Sequence, residues 1–273
     1  MSKSFNLILV RHGISCANLM KATQYIPFAH TLYRDPELTL EGRRHAIEYG
    51  EDFRKSLEEK ELIPVVGASV LIRAQQTADL LFNPEKIIVV PHIAEVDTTF
   101  DNTPLDRYRQ KQVLENTCML STGMKRDYSY FNDYKDGPRS NIASFKKWLR
   151  LEFEKLVDEP NKVLIIVSHG KYIRHLIYNL GYKNIVHETK NCEANKFFYD
   201  IENKELSYLG EYKYTKLNTL VIKDNCKTDF CRYPSCGKKK VDLSCDDVST
   251  LFQKSRKNTR INFNKTRKNR VRE

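Results

Sequence analysis

Two histidines in this chain each follow an apolar run and precede a glycine. Residues 7–13 read Leu-Ile-Leu-Val-Arg-His-Gly, and residues 163–170 read Val-Leu-Ile-Ile-Val-Ser-His-Gly. A third apolar run, ending at Ile72, is followed by Arg73. A neutral imidazole is a nucleophile, and guanidinium forks bind the oxygens of a phosphoryl group bidentately. Arg11, His12, Arg73 and His169 therefore suit a dianionic phosphoryl group, provided the fold brings them together.

The elements that would do so can be read from hydrophobic patterning. Strands are predicted over Asn6 to Val10, Pro64 to Ile72, Lys86 to Pro91, Lys162 to Ser168 and Lys196 to Ile201. Each is short and apolar on both faces, as strands covered by helices must be. Helices are predicted over Thr39 to Lys60, with Thr39 as N-cap, and over Arg73 to Phe82, Asn141 to Val157 and Lys171 to Leu180. Strands alternating with helices predict a three-layer α/β/α domain on a largely parallel sheet. In such a sheet the carboxyl ends of the strands share one edge, where ligands bind. That edge would carry Arg11, His12, Arg73 and His169. The N-termini of the following helices would offer free N–H donors there, with Gly13 and Gly170 making the sharp turns.

Charge divides the chain. The net charge is +11 over 273 residues, but residues 221–273 hold 15 Lys/Arg against 6 Asp/Glu, leaving 31 against 29 in residues 1–220. The reading is a nearly neutral catalytic domain over 1–220 and a basic, flexible extension over 221–273. Nine Lys/Arg lie between Lys254 and Arg272. Such a run is suited to nucleic acid, to an acidic surface, to a nuclear address, or to solubility alone. Within 1–220, the polar, aromatic-rich segment Val96 to Arg139 reads as an inserted lid or substrate-selecting element.

Cysteine usage and the N-terminus bear on compartment. Seven cysteines, an odd number, argue against a full disulfide framework. Cys226, Cys231, Cys236 and Cys245 lack any Cys-x-x-Cys pair, so reduced thiols are expected over a zinc site. Cys16 is expected to be a buried, inert thiol. The first apolar run is too short for a signal peptide, and no stretch could span a bilayer, so an intracellular, cytoplasmic protein is expected.

Taken together, several stretches resemble one family. "LVRHGISCAN", "DPELTLEGRRHA" (Asp35 to Ala46), "SVLIRAQQTA" (Ser69 to Ala78), "AEV" (Ala94 to Val96), "VSHGKYIRHLI" (Val167 to Ile177) and "NCEANKF" (Asn191 to Phe197) occur in the order seen in the histidine phosphatase, or phosphoglycerate mutase-like, superfamily. The resemblance covers about the first three quarters of the chain. It implies that His12 is the nucleophile that becomes phosphohistidine. It also implies that Arg11, Arg73 and His169 complete the phosphate pocket, that Ser15 and Asn18 lie near it, and that Glu95 is the general acid and base.

The chemistry of these residues agrees with those roles. Two arginines beside His12 disfavour its cation, and partial burial that raised the pKa of Glu95 would suit both of its tasks. The cationic groups can meet the transition-state charge without a metal, so neither metal nor cofactor is expected. The substrate would be a phosphorylated small molecule or a phosphopeptide. Ile14 stands where many members carry Glu or Gln, and Lys171 adds charge at the rim. No Glu-Arg-His-Tyr-Gly run occurs, so a mutase is not expected. The rival reading is a phosphate- or nucleic-acid-binding protein on a phosphatase scaffold, with the basic tail in the main role.

Overall fold

A computed structural model of the chain describes residues 4–23, 34–117, 120, 124–130, 140–184, 189–215 and 217. Seven strands are described: β1 (Ser4–Arg11), β2 (Ile63–Ser69), β3 (Lys86–Val90), β4 (Lys125–Asp127), β5 (Lys162–Ser168), β6 (Ala194–Asp200) and β7 (Glu205–Glu211). Six α-helices accompany them: α1 (Cys16–Thr23), α2 (Leu40–Glu58), α3 (Ile72–Phe82), α4 (Arg107–Glu115), α5 (Ile142–Leu156) and α6 (Gly170–Asn179). The sheet runs β4-β3-β2-β5-β1-β6-β7. Its first five strands are mutually parallel, and β6 runs antiparallel to both of its neighbours, β1 and β7.

Alternation along the central strands explains why they read as continuous apolar runs. Ile8 and Val10 of β1 join Val163, Ile165 and Val167 of β5 under Phe53 and Leu57 of α2 and Ala78 and Leu81 of α3. The intervening Leu7, Leu9, Leu164 and Ile166 face the other way, against Phe145, Leu149 and Phe153 of α5 and Tyr172 and Ile173 of α6. The sheet is thus covered on both sides, the expected three-layer α/β arrangement. Burying a side chain such as Phe53 or Phe145 contributes ~1.5–3 kcal/mol.

The register sets the ligand edge. Val10 pairs with Val167 and Arg11 with Ser168, so β1 and β5 end level and deliver His12 and His169 side by side. Thr39 caps α2 as expected, its Oγ1 accepting from the Gly42 amide at 2.9 Å.

One boundary differs from expectation. β2 ends at Ser69 rather than Ile72, and Arg73 lies in the first turn of α3. The cause is Asp35, whose Oδ1 accepts the Ile72 amide at 2.8 Å and caps the helix from a distant part of the chain. Within the expected insertion, 96–139, lie a 3₁₀ turn (Phe100–Asn102), α4 and β4; residues 118–119, 121–123 and 131–139 fall outside the described set. So does the expected extension, 221–273, with its four cysteines and basic run. Among the described residues no helix is long and apolar enough to cross a membrane.

Candidate active site

β1 carries His12 into a tightly specified environment. The ring is buried, and its Nδ1 lies 2.7 Å from the carbonyl oxygen of Gly13. A carbonyl can only accept, so Nδ1 carries the proton and Nε2 holds the lone pair. Arg73 donates from Nε to that Nε2 at 3.2 Å. The backbone is fixed as well: His12 N donates to Ser168 O at 2.9 Å, and Asn191 Nδ2 donates to His12 O at 2.9 Å. Burial holds the pKa of His12 well below the ordinary 6.5, with Arg73 and then Arg11 adding to the effect. The sequence suggests the arginines as the main cause, but burial comes first.

Arg73 is itself fully engaged. Its guanidinium donates to Asp101 O at 2.9 Å and to Asn102 Oδ1 at 2.6 Å, both in the 3₁₀ turn. Arg11 donates to the backbone oxygen of Thr189. Its side chain runs so close to Gly170 that a Cβ there would meet Arg11 Cδ and Nε at 3.1 Å. Neither Gly13 nor Gly170 takes a positive φ. Close approach, rather than a sharp turn, is therefore what calls for glycine at 170.

His169 stands beside His12, ring centroids 5.1 Å apart in an edge-on arrangement. It is fully buried, with Nε2 2.9 Å from Ser69 Oγ and Nδ1 without a partner among the described residues. Burial, then Arg73, then the neighbouring His12 and Arg11 hold its pKa well below 6.5. It is also the N-cap of α6, with no side-chain cap bond, so the first amides of that helix are open at the same edge.

Ser15 and Asn18 cap the start of α1 reciprocally. Ser15 Oγ and the Ser15 amide reach Asn18 Oδ1 at 3.0 and 3.1 Å, and the Asn18 amide donates back to Ser15 Oγ at 3.3 Å. Glu95 follows β3 and is half-buried, one carboxylate oxygen accepting the Val96 amide at 3.0 Å. A cavity of about 140 Å³ is lined by Arg11, His12, Ser15, Asn18, Arg73 and Glu95 together. Of the residues proposed from the sequence, His169 alone does not line it.

Other residues at the site were not singled out beforehand. Ser69, Asn102, Asn191 and Thr77, whose Oγ1 accepts the Gly13 amide at 2.9 Å, all position the groups above. Ser69 and Thr77 lie inside the "SVLIRAQQTA" stretch and Asn191 inside "NCEANKF", so a signal was present. Asn102 lies in the weakly patterned insertion. Two cysteines are described. Cys192 is free and buried, its thiol pushed up to about 12 by burial. Cys16, expected as a reduced thiol, is instead disulfide-bonded, its partner lying outside the described residues. Among the described residues no group of three or more His, Cys, Asp or Glu could hold a metal ion.

A strand-end histidine, two arginines beside it and a second histidine thus stand together at one edge of a mostly parallel sheet. The family model of the histidine phosphatase superfamily (branch 1) matches residues 7–209, and the chain belongs to that superfamily. It is an enzyme of the phosphatase type within it. Among solved structures, the chain is similar to the ecdysone phosphate phosphatase of Bombix mori in complex with tungstate, at 13% identity and a TM-score of 0.50. That match covers 80% of this chain and 97% of the other, and it shows the shared fold. It also matches a mycobacterial glucosyl-3-phosphoglycerate phosphatase (14% identity, TM-score 0.48, 78% and 100% covered). A further match is a phosphoglycerate mutase from Bacillus anthracis (19%, 0.46, 77% and 93%). No curated protein matches the sequence.

Proposed function

We propose that the chain hydrolyses phosphomonoesters through a phosphohistidine on Nε2 of His12. The observation that carries this reading is the state of His12. The ring is buried beside two arginines, kept neutral, with Nδ1–H tied to Gly13 O and the lone pair of Nε2 at the cavity. Arg73, which meets that lone pair in the free enzyme, would turn its donors to the phosphoryl oxygens when substrate is bound.

In the first step the Nε2 lone pair attacks phosphorus, and the bond from phosphorus to the ester oxygen breaks. Glu95, protonated, gives its proton to the departing oxygen. In the second step water attacks the phosphorus of phosphohistidine and Glu95 takes a water proton. The N–P bond breaks and its electron pair returns to Nε2, releasing inorganic phosphate. Throughout, Nδ1–H keeps its bond to Gly13 O and stabilises the positive charge that develops on the ring. Arg11 and Arg73 supply the cationic donors to the equatorial oxygens, while His169 packs edge-on against the His12 ring. No step in this scheme requires a metal.

The test is hydrolysis of 4-nitrophenyl phosphate by the full chain after EDTA treatment, beside His12→Ala. Activity should survive the chelator and fall by at least ~10³-fold in the variant. Labelled substrate should leave an acid-labile, base-stable phosphoryl group on the wild type only. Inactivity of the wild type across a broad panel of phosphomonoesters would remove the proposal. The rival reading, binding through the basic tail, rests on residues outside the described set.

A further inference from the structure

Glu95 lies on a stretch without regular secondary structure. β3 ends at Val90, and His92 follows in the left-handed region, with φ 66°. The chain then runs irregularly to the 3₁₀ turn that begins at Phe100. Proton transfer needs the donor within hydrogen-bond reach of the departing oxygen, and a misplacement of about 1 Å can cost about 10²-fold. Contacts from outside the loop must therefore fix it.

Those contacts come from one short turn. Ser168, the last residue of β5, donates from its buried Oγ to Ile93 O at 2.8 Å, two residues before Glu95. Lys171, in the first turn of α6, pairs with the carboxylate of Asp97, two residues after it. The ion pair is half-exposed and weak on its own. The buried hydroxyl bond is the stronger hold, and the fully buried Ile93 side chain anchors the same side of the loop. Between the two grips lie His169, edge-on to His12, and Gly170, packed against Arg11. Residues 168–171 thus meet His12, Arg11 and both flanks of Glu95.

We propose that Ser168 and Asp97 are positioning residues for Glu95, through which the turn at 168–171 sets the proton donor's place relative to His12. This rests on the phosphatase reading above, with Glu95 as the acid. Neither side chain lines the cavity, so their effect on the reaction passes through the loop. It should be felt where the leaving oxygen needs a proton. Phenyl phosphate has that need; 4-nitrophenyl phosphate, whose phenolate departs readily without one, has little.

The experiment measures kcat/KM, which reports the step that forms phosphohistidine, for both esters with the full chain. Glu95→Gln should cut the phenyl ester at least ~100-fold more than the nitrophenyl ester. Ser168→Ala/Asp97→Asn should cut it about tenfold more, and Ser168→Thr/Asp97→Glu should restore it. Added to Glu95→Gln, the Ala/Asn pair should cause no further selective loss. Hydrogen exchange at the Val96 amide, which donates to Glu95 Oε1 at 3.0 Å, reads the loop without activity. It should quicken at least about tenfold in the Ala/Asn variant.

Equal losses for the two esters, or none, would overturn the proposal. A selective loss that persists on top of Glu95→Gln would overturn it too, since the effect would bypass the acid. If Glu95→Gln is itself unselective, the acid lies elsewhere, and the proposal falls while phosphatase activity stands. If the wild type hydrolyses neither ester, the phosphatase reading fails. Exchange at Val96 then decides the grip by itself, and unchanged rates overturn it.

Discussion

The neutrality of the two buried histidines has a consequence for stability that can be worked through. In the unfolded chain each imidazole takes up a proton near pH 6.5; in the folded protein His12 and His169 do not, because their pKa values lie well below it. Below pH 6.5 the unfolded state therefore binds more protons, and stability is lost as pH falls. Between pH 7.5 and 5.5 each histidine costs about 1.4 kcal/mol, so the pair costs about 2.7 kcal/mol.

Asp35 opposes them. Burial raises its pKa from 3.8 to about 6. In this window the folded protein binds the extra proton, so acidification stabilises it by about 0.8 kcal/mol. Burial also lowers the pKa of His92, which acts in the same direction as the pair, so the net expectation is a loss of at least about 2 kcal/mol. Urea unfolding of the phosphate-free protein at pH 7.5, 6.5 and 5.5, at fixed ionic strength, measures it. The partner is the double variant His12→Asn/His169→Gln. The first replacement keeps a side-chain donor for Gly13 O, and the second keeps a polar group at Ser69. The loss should be smaller by about 2.7 kcal/mol in the variant, since only the two histidines differ and all other titrating groups cancel in the comparison. An equal loss in both proteins would mean that the histidines ionise inside the fold. The neutral nucleophile, and the mechanism with it, would then be wrong.

Two further substitutions probe how the site is held. Gly42→Ala would drive a Cβ into the Ile14 carbonyl, on the loop that carries His12; it should cost about 3 kcal/mol, where helix propensity alone would gain about 1. A urea midpoint equal to or above wild type would contradict that packing. Ser69→Ala removes the hydroxyl on His169 Nε2. It should shift the tautomer reported by the ring ¹⁵N signals and lower kcat/KM by about tenfold, with Ser69→Thr restoring both; unchanged ¹⁵N signals would deny Ser69 that role.

Much of this architecture is legible in the sequence because burial on both faces makes β1 and β5 conspicuous, and their ends deliver His12 and His169. Elements that are half-exposed leave a fainter trace. β7 is an edge strand with alternating burial, and α4 is a polar helix in which only Gln110 and Leu114 are buried, so neither shows a sustained apolar period. Distances between chain segments leave none. That Asp35 caps α3, or that the backbone of residue 101 receives Arg73, depends on contacts across tens of residues that composition and spacing do not encode.

Those long-range contacts also explain why a polar segment can form an ordered wall of the cavity. Asp35 accepts the Ile72 amide through Oδ1, and the Leu105 amide and Gln110 Nε2 through Oδ2. One buried carboxylate therefore joins the first turn of α3, which carries Arg73, to the segment that carries Asp101, Asn102 and α4. Arg73 closes the loop from the other side by donating to Asp101 O and Asn102 Oδ1. Gln110 adds a bond to Val70 O at 2.8 Å. Each of these donors is satisfied by a partner from a different segment, so the guanidinium beside His12 is placed by the whole network rather than by α3 alone. The segment that carries Asp101, Asn102 and Gln110 and the arginine beside His12 are, in this fold, one hydrogen-bonded unit.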